Sequence, residues 1–445
     1  MSMHIIELND RNVRLSEEEG KVLAESPGFA NVAPKTPVFG EEARQLFRLY
    51  PRQSFNQFWS QLSLDPLTNT NPHFRHQADL AFSHLSSLCQ TCPQGSEVIF
   101  VVPGNYNRQQ LAVLLGLAKQ SPLKAVGLVD MAVLAACAAA DSENAIYLDI
   151  QLHQAVISSL SNKNGMLKRE SVLQLPGAGS LALYDAWASM IADAFIRQSR
   201  FDPRHNAETE QYIYSQLPLW LAQSLGGNDI LMEINNKGTI HQARLNRNHF
   251  EQRATNILTR IQAEIKTLTS PHTGMFTSAE AALLPGIQAF LPNITVLPDN
   301  AVIENGLFAL DHIVREGEQA LSFITSLPGG RNPTPLTSSR TTQPGPSHIL
   351  INHLAYPLTG QILYLGKNTK ANISTHDISF IEIPEPGLEG LLTITRQAED
   401  YVLEKPEGEV LQINGETLAE RRTLRLGDQI TLPNASVSMH LIRVN

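Results

Sequence analysis

The chain has 445 residues, 34 Lys and Arg against 43 Asp and Glu, a net charge of -9 and 42% hydrophobic residues. That length exceeds one ordinary core and calls for two or three domains. The acidic balance argues against a nucleic-acid binder, whose phosphate affinity needs a Lys/Arg surface.

In chain order, strand patterns fall at His4 to Leu8, Val13 to Leu15, Val98 to Val102, Ala125 to Val129, Ala145 to Leu148, Ala155 to Leu160 and Ile230 to Ile234. Helical periodicity covers Glu41 to Leu49, Arg75 to Leu88, Arg108 to Ala118, Met131 to Ala140, Leu181 to Gln198, Ala207 to Ser224, Arg247 to Leu268 and Glu304 to Ile313. Alternation of this kind predicts an α/β domain over residues 1–327, with sheets covered by helices. Residues 328–347 hold five prolines and three glycines and read as a linker. After it, Ile349 to Leu354, Gln361 to Leu365, Ile378 to Ile383, Leu391 to Arg396, Tyr401 to Lys405, Val410 to Ile413 and Gln429 to Leu432 are short strands spaced by turns. They predict an all-β sandwich over residues 348–445.

No apolar run reaches the roughly 18 residues of a membrane span. His4, Glu7 and Asp10 so early in the chain fit no signal peptide. Three cysteines give no disulfide framework. A cytoplasmic protein is expected, without membrane insertion and without a nucleic-acid partner. Cys89 and Cys92, with His73, His76 and His84 upstream, invite a zinc reading. A helix over residues 75–88 would hold the His pair ~20 Å from the thiols at 1.5 Å per residue, beyond one site of ~2 Å bonds. No metal is expected.

The order of segments in residues 3–315 resembles the superfamily of actin, heat-shock chaperones and sugar kinases. His4-Ile-Ile-Glu-Leu8 with Asn9-Asp10-Arg11-Asn12 and the returning Val13-Arg-Leu15 resembles its first phosphate hairpin, and Asp149 in Tyr147-Leu-Asp-Ile150 matches its second. Val102-Pro103 with Asn107-Arg-Gln-Gln110 resembles the chaperone strand that precedes the first connecting helix. Leu175-Pro-Gly177-Ala-Gly179 resembles the paired glycines before the lobe-crossing insertion, and Leu283-Leu-Pro-Gly286 stands where the adenosine-binding glycines belong. The resemblance implies a two-lobed actin-like ATPase fold with Asp10, Asp149, Gly177 and Gly286 as its vestigial nucleotide-binding residues.

The departures decide function. Phosphate loops need glycines because a Cβ blocks the approach of backbone N–H groups to the phosphates. Neither Asn9-Asp10-Arg11 nor Asp149-Ile-Gln-Leu-His153 has one. A pseudo-ATPase that needs no cofactor is expected rather than an enzyme; the alternative is an ATP/Mg-binding chaperone-like or actin-like switch.

The tail resembles a forkhead-associated domain. Leu365-Gly366-Lys367 matches the opening Gly-Arg, Asn372-Ile-Ser374-Thr-His376 the next strand, Asn414-Gly415 the Asn-Gly turn, and Leu424-Arg-Leu-Gly427-Asp428-Gln-Ile430 the closing motif. The resemblance implies peptide binding, with Lys367, Ser374 and Asn414 as candidates. Lys367 replaces the arginine fork, and Leu388 and Leu391 stand where the family's phosphate-reading Ser and His belong. The expectation is a bacterial-type protein-interaction scaffold whose partner is another protein; a phosphothreonine-binding adaptor is the other option.

Overall fold

The computed structural model describes residues 3–18, 20–67, 74–90, 92–226, 229–314 and 321–329, and in the tail 348–351, 354–358, 362–366, 378–382, 392–397, 400–404, 412–414, 416–418, 421–424, 428–431 and 438–442. The chain divides into two compact units, Met1–Pro333 and Thr334–Asn445.

The first unit opens with β1 (Met3–Asn9), β2 (Asn12–Glu17) and β3 (Val22–Ser26), then α1 (Gln77–Leu88), β4 (Ser96–Val102), α2 (Arg108–Gln120), β5 (Leu123–Asp130) and α3 (Met131–Ala136). It continues with β6 (Asn144–Ile150), β7 (Gln154–Lys163), β8 (Met166–Pro176), α4 (Ser180–Ser199), α5 (Ala207–Gln223), the hairpin β9 (Ile230–Asn236) and β10 (Thr239–Leu245), and α6 (Arg247–Leu268). It closes with β11 (Gly274–Thr277), β12 (Ile294–Val296), α7 (Ala301–Phe308) and β13 (Ser326–Pro328).

Two mixed sheets organise these elements. The first runs β3-β2-β1-β4-β5, the second β12-β11-β6-β7-β8 with β13 added beyond β8. Taken from the antiparallel end, the second reads β8-β7-β6-β11-β12, the same order as the first. Directions also repeat. The first three strands of each are antiparallel, and the last two run parallel to the middle strand.

Period-two alternation sends neighbouring residues to opposite faces, and both faces of each sheet are covered, so the central strands read as continuous apolar runs. Ile6, Phe100 and Val102 join Leu80 and Leu85 of α1 and Leu111 and Leu114 of α2. Ile146, Leu148 and Ile150 join Trp187 of α4, Trp220 of α5 and Phe250 of α6. The alternate residues, Ile5, Ile99 and Val101 of the first sheet and Ala145 and Tyr147 of the second, meet in one shared cluster with α3 and α7.

Capping explains where several helices start. Asn107 and Gln110 form a reciprocal box at α2, with bonds of 2.9 and 3.0 Å. Asp130 Oδ1 accepts Val133 N–H at the start of α3. Three expected helices are shorter or broken. Residues 41–49 are helical only over Gly40–Arg44, residues 131–140 only over Met131–Ala136, and the last splits into Ala301–Phe308 and Leu310–Ile313.

The described part of the tail is all-β. One sheet runs 354–357, 348–351, 438–442, 429–431, 412–413, 416–417; the other runs 378–382, 362–366, 392–397, 400–404, 421–424. The run expected as one strand over 349–354 is an antiparallel pair with Ile351 opposite Leu354.

Candidate functional site

The two sheets face each other through corresponding hairpins. In the first, Asp10-Arg11 connects β1 to β2 without a glycine, and the Asn9 side chain makes it possible: its Oδ1 accepts Arg11 N–H at 2.9 Å, an Asx turn that replaces backbone turn chemistry. In the second, Gln151 to His153 connects β6 to β7, and Gln151 N–H donates to Gln154 O at 2.9 Å.

The hairpins bond directly to each other. Asp10 Oδ1 accepts Leu152 N–H at 2.6 Å. Asn9 Nδ2 donates to Asp149 Oδ1 at 2.7 Å, and Gln151 Nε2 donates to Asp149 Oδ2 at 3.1 Å. The Leu152 backbone donor is thus held by Asp10, and both oxygens of Asp149 are held by side-chain amides. Beside them, Arg11 Nη2 pairs with Glu280 Oε2 at 2.5 Å and Asn12 Nδ2 donates to Glu280 Oε1 at 2.9 Å. Arg14 binds Glu25 at 2.7 Å and Asp299 at 3.1 Å. Further out, Arg48 pairs with Asp185 of α4 and donates to Tyr214 Oη of α5 at 2.6 Å.

These contacts leave a cavity of about 50 Å³, lined by Glu7, Asn12, Tyr147, Asp149, Glu280 and Asp299 among others. Ligand pockets typically span roughly 300–1,000 Å³; this one has room for only a few water-sized molecules. Burial pushes the Glu7 carboxyl up to about 8 against the pull of Arg14, and its Oε1 is buried without a hydrogen-bond partner among the described residues. Burial likewise raises Asp10 to about 6, and Asp149 to about 6 despite its bond from Gln151. Glu280 goes the other way: burial opposes it, but Arg11 and Asn12 hold it below the usual carboxylate range.

Of the residues singled out from sequence, Asp10 and Asp149 come together at this junction. Gly177 and Gly286 are not among the residues lining the cavity. Both adopt the left-handed conformation, at φ +71° and +95°. Gly177 N–H donates to His153 O at 2.9 Å, and Gly286 packs where a Cβ would lie 2.6 Å from Leu258 Cδ1. Gly179, the second of the paired glycines but not a candidate site residue, matters more. A Cβ on Gly179 would lie 2.4 Å from Gln154 N and 2.5 Å from His153 C and Leu152 O, so only glycine lets α4 start against the second hairpin. Gly179→Ala is expected to cost about 2–3 kcal/mol, as overpacking against backbone does; an unchanged urea midpoint would refute the close approach.

In the tail, Lys367 and Ser374 lie outside the described residues. Asn414 sits at φ +54°, donates through Nδ2 to Asp428 Oδ1 at 2.8 Å and accepts Gln429 N–H at 2.9 Å. Its amide is spent inside the domain.

His73 also lies outside the described residues. His84 is buried between aromatic rings, and Trp59 Nε1–H donates to its Nδ1 at 2.9 Å. The proton therefore sits on Nε2 and is given to Ser26 Oγ at 2.6 Å, so His84 cannot act as general base toward Ser26. Burial holds it down to about 3. Burial raises both the Cys89 and Cys92 thiols, opposite to what a reactive cysteine requires. Among the described residues no group of three or more His, Cys, Asp and Glu is arranged to hold a metal ion, and no helix is long and apolar enough to cross a membrane.

A scan against protein-family models and a search of curated proteins returned no match to this chain.

Proposed function

We propose that the first unit is a two-lobed, actin- and chaperone-like ATPase fold that has become a non-catalytic scaffold, joined to a forkhead-associated-like β-sandwich that binds protein. The observation that carries this reading is the self-occupied junction: Asp10, Asn9, Arg11 and Glu280 take up the donors, acceptors and charges that a nucleotide and its metal would use. Repetition of one strand order in both sheets supports the two lobes. For the tail, the support is that two motif turns are tied together, Asn414 to Asp428 and Gln429.

The test is thermal. A ligand that binds only the native state at a hundredfold excess over its Kd stabilises it by ~2.7 kcal/mol. Millimolar Mg·ATP or ADP is expected to leave Tm unchanged. A rise in Tm that Asp149→Ala removes would defeat the scaffold reading and favour an ATP-dependent switch.

A further inference from the structure

Apart from the junction, a second concavity of about 600 Å³ is lined by residues 54–67 and the first turns of α1 and α2. Its walls are dominated by amides, among them Asn56, Gln57, Gln61, Gln77, Gln109 and Gln110, and Asp65 is the charged side chain among the described lining residues. Asn56 Nδ2 and Gln77 Oε1, a donor and an acceptor, are buried with no hydrogen-bond partner among the described residues. The strand Ser54–Phe55, which also lines the concavity, is the outer strand of a three-stranded sheet with Ala30–Asn31 in the middle and Val38–Phe39 beyond. Phe55 lies opposite Ala30 and Ser54 opposite Asn31, and Val32 N–H donates to Gln53 O at 2.9 Å. Antiparallel ladders alternate bonded and non-bonded pairs, so this register turns the backbone N–H and C=O of Ser54 away from the sheet.

We propose that this concavity is the docking groove for an extended polypeptide segment of a partner protein, a segment carrying a Lys or Arg and adding to the Ser54–Phe55 edge. Each feature selects that occupant. An open strand edge pairs with extended backbone. Carboxamides offer donor and acceptor together, matching the donor and acceptor of every peptide group. Asp65 favours a cationic side chain, and the described lining residues, which include no Lys or Arg, disfavour phosphorylated or acidic segments. A neutral oligosaccharide would use the amides but leave the strand edge and Asp65 without a role. The proposal does not depend on whether the junction binds nucleotide.

A phage-displayed library of random dodecapeptides panned on the full chain is the test. Enriched peptides should carry Lys or Arg, and the strongest, made synthetically, should slow amide exchange at residues 54–57. Asp65→Asn should weaken it about tenfold, and Gln57→Trp, which fills the groove, should abolish binding. Asp65, Gln57 and Gln109 are exposed, so wild-type Tm is expected throughout. If Gln57→Trp does perturb folding, Gln109→Lys should still weaken the same peptide through repulsion of its cation. Absence of enrichment, or peptides that bind every variant like the wild type, would overturn the proposal. So would maltohexaose binding that Gln57→Trp removes while no peptide competes, which would assign the groove to carbohydrate.

Discussion

Glu7→Gln is expected to stabilise the protein at pH 8, by on the order of 3 kcal/mol, and to change little at pH 5. The cause is a carboxyl whose folded value is raised from 4.5 to about 8, by burial above all, against the pull of Arg14 and with smaller repulsions from Asp299, Glu280 and Glu25. The folded chain keeps a proton that the unfolded chain releases between those values. Stability therefore falls as pH rises through that window. Each unit is worth ~1.4 kcal/mol, and an unpaired glutamine atom in the same place gives part of the gain back. Urea midpoints of both proteins at pH 5, 6.5 and 8 would show the difference widening with pH; a constant difference would refute it. Asp10 and Asp149, each raised to about 6, act in the same direction between about 4 and 6. His84, held down to about 3, costs stability as pH falls below about 6.5, because only the unfolded chain then takes up its proton. Comparing variant with parent removes these shared contributions.

Arg169→Ala should be the most damaging single change, costing roughly 3–5 kcal/mol near neutral pH, the range for removing one partner of a buried ion pair. Asp130 is 0% exposed. It receives Arg169 Nη1 from β8 while its other oxygen caps α3, so the pair fastens β5 of the first sheet to β8 of the second. Arg169 also donates to Gly104 O at 3.2 Å and lies 5.2 Å from the Phe323 ring. Without the guanidinium the carboxylate has no cationic partner among the described residues, and protonation is its cheapest escape, so the loss should shrink in acid. Adding Asp130→Asn should restore most of the stability at pH 8. A loss below 1 kcal/mol, or one independent of pH, would show that the pair does not brace the sheets.

Strands buried on both faces were plain in the sequence, because Val98 to Val102 and Ala145 to Leu148 are apolar at every position. Strand β8 was not. Lys168, Arg169 and Glu170 give it the polarity of a surface segment, and its place is set by pairing with β7 and β13. Strand β11 begins with Gly274 and spans four residues, too few for a period to declare itself. Asp10 and Asp149 stood out as carboxylates at strand ends. Their partners did not, since Asp149 and Asn9 are separated by 140 residues and Asp10 and Leu152 by 142. The amide-lined groove left no motif at all. Glutamines scattered over residues 57–110 look like ordinary surface until the fold gathers them.

The apolar layer common to both sheets bears on how the first unit comes apart. Ile5, Val101, Tyr147 and Phe276 belong to one cluster, so neither half can leave without stripping the other of an inner face. The strand order repeats between the two sheets, yet the shared layer predicts that they melt together, in a single cooperative transition. Separated after Ala140, the halves would each carry a bare hydrophobic surface whose best cover is the missing complement. They would recover structure by reassociating rather than by folding alone.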